Sequence, residues 1–334
     1  MTFELVSAFL GLLFGIALLL FSSGKAGEHS INLAASLGAS PFIIGVLLVS
    51  IGTDLPEIAN SITSSGLGHG NINVGDSLGS ILAQITLAIG LTSLVGGELK
   101  SDRRVIVITG ASGVLAIIFF VSITEKGYIS RLDGVFLMSS WLIFMLISRY
   151  VTQCCGELHA CRLREKTLSK RRQENSVSKK REEPRKKPLY DLTVTILGLI
   201  GVAVGAHFSV RSVIAISSFF QIDEYFISFF ILGLGTSLPE IVLDLWAARR
   251  KHFDLLIGDV IGSCIVDATL SVGIGPAIFP IGIEGAVART TGIYTILAFL
   301  LVLLLVTSRM KLDKKTGVVS ITLYILSLAA FYWT

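Results

Sequence analysis

Apolar residues in this chain fall into runs of about twenty, not into the i, i+3, i+4 stripe of a soluble helix or the alternation of a half-buried strand. A helix of that length crosses a hydrocarbon layer ~30 Å thick. The pattern predicts ten spans, at 3–22, 31–64, 73–97, 105–124, 132–150, 190–209, 212–246, 255–280, 290–308 and 317–333. The second and seventh are too long for one straight helix, and both contain a Gly-Thr-x-Leu-Pro-Glu break. Glycine gives the backbone freedom there and proline deletes a donor, so carbonyls near Thr53 and Thr236 are expected to be released. Freed backbone at membrane depth is tolerated only where it lines a cavity or finds a partner, and a bound cation is such a partner.

The polar positions repeat. Gly52-Thr53-Asp54-Leu55-Pro56-Glu57 returns as Gly235-Thr236-Ser237-Leu238-Pro239-Glu240, offset by 183 residues. Gly75-Asp76-Ser77-Leu78-Gly79-Ser80 returns as Gly258-Asp259-Val260-Ile261-Gly262-Ser263 at the same offset. The chain therefore divides into a first five-span half, 1–150 with its motif region at 43–92, a linker at 151–189, and a second half, 190–334 with its motif region at 226–275. An odd number of spans per half sends the second half into the membrane from the other side. The expected fold is an all-α polytopic membrane protein, ten transmembrane helices in two inverted five-helix repeats, with a site where the interrupted helices meet at the midplane.

Composition agrees: 52% of residues are hydrophobic and 16% charged, with mean hydropathy +0.76. Basic residues cluster after spans three (Lys100, Arg103, Arg104), seven (Arg249, Arg250, Lys251) and nine (Arg309, Lys311, Lys314, Lys315), and most densely from Arg162 to Lys187. By the positive-inside rule these loops are cytoplasmic, with the N- and C-termini outside and the plasma (cell) membrane as the expected location. The first span reads as a mature helix, because Met1-Thr2-Phe3-Glu4 lacks a positive leader. The net charge of +4 points to anionic lipid headgroups and not to nucleic acid. The linker reads as solvated chain. Cys154, Cys155, Cys161 and Cys264 read as reduced thiols, with acylation of the Cys154–Cys155 pair as the minority alternative.

Asp54, Glu57, Asp76, Glu240, Asp244, Asp259 and Asp267 lie in or near apolar spans, and no Lys or Arg occurs from Ala26 to Leu99, Ser212 to Ala248 or Phe253 to Ala288. An intramembrane charge costs on the order of 2.5–3.5 kcal/mol on insertion scales, so such acids mark function. Without internal counterions, their charge calls for cations from solution. Glu57 and Glu240 hold matching places and are the first candidate ligands. Ser80 with Gln84, and Ser263 with Asp267, are i,i+4 pairs that present oxygens on one helical face. Asp76 and Asp259 fall near helix starts, where a cap or dipole role competes with ligation. Asp244, close to Arg249, reads as a mouth residue. Carboxylate, hydroxyl and amide oxygens suit Ca²⁺ and alkali ions, and flexible ones suit Ca²⁺ over Mg²⁺; Mn²⁺ stays open.

At these motifs the chain resembles the Ca²⁺/cation antiporter superfamily, in particular its prokaryotic Na⁺/Ca²⁺ exchanger branch. The resemblance covers the whole layout and rests on the paired Gly-Thr-x-Leu-Pro-Glu and Gly-x-x-x-Gly-Ser motifs. It implies a secondary active antiporter, not an enzyme, that exchanges Ca²⁺ for Na⁺ at one alternately exposed site, with no bound cofactor. By position, Glu57 and Glu240 would hold Ca²⁺ with the carbonyls of Thr53 and Thr236, while Ser237, Ser80, Ser263 and Asp267 would complete the Na⁺ sites. Spans one and six would slide across the other eight. Asp54 departs from the pattern, standing where the second repeat has Ser237, and Gln84 stands where an Asn or acid is common. Asp54, Glu57, Glu240 and Asp267 together carry more negative charge than one Ca²⁺ neutralises, so a monovalent ion or a proton is expected to accompany it. The alternative coupling ion is H⁺ (or K⁺). The usual Asn-Ala stretch of Ca²⁺/H⁺ antiporters is absent. A more distant alternative, an intramembrane aspartyl protease, rests only on the partial Gly-Asp likeness at Asp76 and Asp259.

Overall fold

A computed structural model describes residues 2–36, 50–99, 103–147, 150 and 188–332, and these are almost wholly helical. The first half comprises α1 (Thr2–Ser36), the short α2 (Ser50–Thr53), α3 (Leu55–Leu67), α4 (Gly70–Val95), α5 (Arg103–Thr124) and α6 (131–147). The second comprises α7 (Pro188–Phe220), α8 (Glu224–Thr236), α9 (Leu238–Arg249), α10 (Phe253–Val266 continued by Asp267–Ser271 and Val272–Ile278), α11 (Gly285–Arg309) and α12 (Lys314–Tyr332). Part of the expected second span, Cys154, Cys155, Cys161 and nearly all of the linker lie outside the described residues.

Six of these helices are each long and apolar enough to cross a membrane, and α8 with α9, bent by 44° at their junction, makes a seventh. The chain is an integral, multi-pass membrane protein. Two expected boundaries are wrong. The loop placed at 23–30 is the continuation of α1, and the gap placed before 212 is the middle of α7. Lys25 and Glu28 are not loop residues but an exposed i,i+3 ion pair at 3.4 Å on the α1 surface. The break in the second half comes instead at Gln221–Asp223, where Asp223 caps α8 by accepting the Tyr225 N–H at 2.7 Å.

α1 and α7 pack antiparallel along their length on a seam of small residues. A Cβ added at Gly11 would meet Ser212, one at Gly205 would meet Leu19 and Gly15, and one at Gly198 would meet Ala26. Small side chains let backbones approach where lipid offers no hydrophobic drive for association. The outer faces carry Leu10, Leu13, Leu197 and Ile200, exposed as lipid-facing residues are. The core lies elsewhere: α4 and α10 are the most buried spans, wrapped by α5 and α11.

Two antiparallel clips join the halves. β1 (Gly97–Glu98) pairs with β4 (Lys311–Leu312), and β2 (Tyr128–Ile129) with β3 (Ile281–Gly282). Since β1 precedes α5 and β2 follows it, the clips sit at opposite ends of that 22-residue helix. Gly68 ends α3 in the left-handed region at φ 80°, its N–H turned back to the carbonyls of Ser64 and Ser65, which lets the chain reverse directly into α4.

Candidate functional site

Each Gly-Thr-x-Leu-Pro-Glu segment is a broken helix. α2 ends at Thr53 and α3 starts at Leu55, with Asp54 between them at φ −85°, ψ 11°. α8 ends at Thr236 and α9 starts at Leu238, with Ser237 at φ −79°, ψ 2°. Pro56 and Pro239 fall in the first turn of the new helix, where a missing N–H costs no intrahelical bond. Glu57 and Glu240 follow in that same turn, at the positive end of the helix dipole.

α4 and α10 face these breaks with matched irregularities. α4 widens into a π-helical turn at Ala83–Ala88, and α10 at Asp267–Ser271. Such turns are rare inside α-helices and concentrate at functional sites. They bring the repeat-equivalent residues Gln84 and Asp267 together, Gln84 Nε2 donating to Asp267 Oδ2 at 3.2 Å. Cys264 closes the same corner, its Sγ 3.4 Å from Gln84 Oε1, in keeping with a packing role.

The carboxylates converge. Asp54, Glu57 and Asp267 each offer an oxygen within 4.8 Å of the other two, and all three are buried. Both oxygens of Asp54, of Glu57 and of Glu240, and Oδ1 of Asp267, have no hydrogen-bond partner. The Thr236 and Ser80 hydroxyls lie beside Glu57 but do not reach its oxygens in hydrogen-bond geometry. Ser237 adds an unpartnered, buried hydroxyl, and Ser263 is buried on the same face of α10 as Asp267. None of the ion pairs among the described residues involves these acids. Glu240 stands outside the mutual 4.8 Å cluster, although Glu57 acts on it electrostatically. Buried carboxylate oxygens without donors are the type of ligand set that a hard cation takes.

Thr53 borders a cavity of about 390 Å³ between α1 and the two breaks, lined by Ser23, Gly27, Gly52, Pro239 and Val242 among others. Thr236 is fixed differently. Its hydroxyl donates to Asp76 Oδ1 at 3.3 Å and lies 3.3 Å from Ser80 Oγ, which itself donates to Gly233 O at 3.1 Å.

Two expectations about acids are corrected. Asp76 is not a cap: it lies two turns into α4, buried, and holds Asn60 Nδ2 at 3.0 Å as well as Thr236. Asp244 is not at the mouth: it is 1% exposed on the inner face of α9, while Arg249 and Arg250 point outward. Asn60, three residues after Glu57, was missed. Its signal was the polar run Asn60, Ser61, Ser64 and Ser65 along one face of α3.

The family model described as sodium/calcium exchanger protein matches residues 7–150 and 190–333. An uncharacterized membrane protein of Methanocaldococcus jannaschii is 28% identical over 95% of this chain and 96% of its own length. The sodium/calcium exchanger MaX1 of Methanosarcina acetivorans is 25% identical over 97% and 98%. Among solved structures, the sodium-calcium exchanger NCX_Mj, soaked with Na⁺ and Sr²⁺, covers 97% of this chain and 98% of its own at 26% identity, with a TM-score of 0.59. The matched family and the matched solved structure are transporters, which removes the intramembrane protease from consideration. With both of its halves matched and its acids gathered between two broken helices, the chain belongs to the sodium/calcium exchanger protein family and is a cation antiporter of that type.

Proposed function

We propose that the protein exchanges Ca²⁺ for Na⁺ across the plasma membrane by alternating access to the cage at the two breaks. The observation that carries this is the mutual 4.8 Å approach of Asp54, Glu57 and Asp267, buried without a cationic side chain among them. In this reading Glu57 and Glu240 hold Ca²⁺ with the carbonyls of Thr53 and Thr236. Ser80, Gln84, Ser237, Ser263 and Asp267 serve Na⁺, and Asp54 adds a negative charge that a monovalent ion balances. Na⁺ and Ca²⁺ then compete for overlapping oxygens, and competition within one cage is what couples their opposite movements.

The halves are read as inverted repeats, with the basic linker at 151–189 cytoplasmic and both ends of the chain outside. The two strand clips support the inversion. Shifted by the repeat offset, β2 falls on β4, yet these strands lie at opposite ends of the bundle. The α1–α7 pair is the moving element in this reading. It touches both breaks, since Gly52 packs against Gly27 of α1 and Gly235 against Ile16 of α1.

The test is ⁴⁵Ca²⁺ uptake into proteoliposomes under an imposed Na⁺ gradient and, separately, under a pH gradient. Na⁺-driven uptake abolished by Glu57→Gln is the expected result. Uptake driven by the pH gradient alone would make the protein a Ca²⁺/H⁺ antiporter instead.

A further inference from the structure

Asp244 and Asp259 lie outside the central cage, and nothing in the exchange reading uses them. Asp244 sits one turn beyond Glu240, so both occupy the buried face of α9. Asp259, Ser263 and Asp267 recur at the same spacing on α10, which packs against α9. α9 ends at Arg249 and α10 starts at Phe253, so Asp244 and Asp259 stand five and six residues from the same turn between two packed helices, and Asp259 acts electrostatically on Asp244. Two polar files thus run side by side from the cage toward the end of the bundle that carries Arg249, Arg250 and Lys251.

The basic residues at that end do not neutralise the pair. Arg250 lies over the Trp246 ring, 4.6 Å from its centroid, and Arg249 is exposed. Asp244 is 1% exposed with Oδ2 unpartnered, whereas Asp259 is half-buried, giving the pair one buried member and one reachable from the bundle surface.

The other half of the same chain provides a comparison. One repeat earlier, Asp244 corresponds to Ser61 and Asp259 to Asp76. There the protein satisfies its own polar groups: Ser61 Oγ accepts the Gly275 N–H at 3.2 Å, and Asp76 holds Asn60 and Thr236. In the second half the serine is replaced by a second acid and the unpartnered oxygen remains.

We propose that Asp244 and Asp259 form a second, outlying site for a hard divalent cation, holding Ca²⁺ between the α9–α10 end of the bundle and the central cage. Two carboxylates on packed helices match one divalent charge, and flexible carboxylate oxygens suit Ca²⁺. The proposal rests on the reading that Glu57 belongs to a separate central site, so the experiment must tell the two apart.

Equilibrium ⁴⁵Ca²⁺ binding to the purified full-length protein in Na⁺-free detergent does so. The wild type is expected to bind two ions, Glu57→Gln to keep the outlying one, and Asp244→Asn or Asp259→Asn to keep the central one. A wild-type stoichiometry of one that Asp259→Asn leaves unchanged overturns the proposal, as do Asp244→Asn and Asp259→Asn isotherms that superimpose on the wild type, or loss of all binding in Glu57→Gln. Should Asp244→Asn not fold, the half-buried Asp259→Asn decides the matter alone. If Glu57→Gln binds like the wild type while the Asp259 variant loses an ion, the central reading fails and the outlying site stands.

Discussion

Gln84 and Asp267 occupy the same position in the two repeats and meet each other, Gln84 Nε2 donating to Asp267 Oδ2 at 3.2 Å from one π-helical turn to the other. An amide opposite an acid makes the pair a donor–acceptor contact, where two acids would repel. It fixes one oxygen of Asp267 and leaves Oδ1 without a hydrogen-bond partner.

Replacing Gln84 with Leu keeps the volume but leaves Asp267 with no donor. A buried acceptor stripped of its partner costs about 1–3 kcal/mol, more if charged. The expected result is a lower melting temperature for Gln84→Leu in ion-free detergent, most of it recovered on adding Ca²⁺, because ligand binding to the native state restores stability. A melting curve identical to that of the wild type without ions would show the contact to be idle.

Asp54 gives the first break an acid where the second has Ser237. Asp54→Ser makes the breaks alike and removes one charge from the cage. Ca²⁺ binding should then depend less on a companion monovalent ion. Measured as ⁴⁵Ca²⁺ affinity against Na⁺ or K⁺ concentration, and again from pH 5 to 9, the dependence should flatten in Asp54→Ser relative to the wild type. A steep and unchanged dependence would mean that Asp54 takes no part in ion balance.

Gly27 of α1 rests on Gly52 of α2: a Cβ on either glycine would lie within 3.6 Å of the other's backbone. Gly27→Leu places a side chain in that contact. If the α1–α7 pair moves over the breaks, exchange should slow about tenfold or more, equivalent to ~1.4 kcal/mol of barrier, while equilibrium Ca²⁺ binding in detergent changes little. Equal losses in rate and binding would point to a distorted cage rather than an obstructed motion.

The breaks and facing pairs were legible because their chemistry is local: Gly and Pro interrupt a helix wherever they fall, and i,i+4 spacing puts Ser80 over Gln84 in any helix. The long α1 and α7 were not legible. Lys25, Glu28 and Arg211 read as loop residues by hydropathy, although a surface ion pair or an exposed basic side chain is compatible with unbroken helix. The π-helical turns have no residue signature in Ala83–Ala88 or Asp267–Ser271. Asp76 and Asp244 were misplaced for one reason. Distance along the chain to a helix end or to Arg249 is not distance in space, and only the fold shows which face each acid is on.

Asp313 caps α12 outside the membrane-spanning segments, accepting the Thr316 N–H at 2.8 Å, the Thr316 hydroxyl at 2.9 Å and Arg309 Nη1 at 2.8 Å. These bonds, the Thr316 N–H foremost, hold its carboxyl down from an ordinary 3.8 to about 2. A folded-state value below the unfolded one means that the unfolded chain binds more protons between them, so stability rises with pH across that interval. The contribution is complete above the ordinary value and is lost as pH falls toward about 2. Asp313→Ala should lower stability at neutral pH by about 1 kcal/mol, the usual worth of an N-terminal cap, and remove part of the slope of melting temperature against pH below 4. Asp313→Asn should keep some of the capping and lose the same part of the slope. Thermal melting of detergent-purified protein from pH 2 to 7 separates the two effects, and an unchanged acid slope in both variants would place the acid sensitivity on other carboxylates.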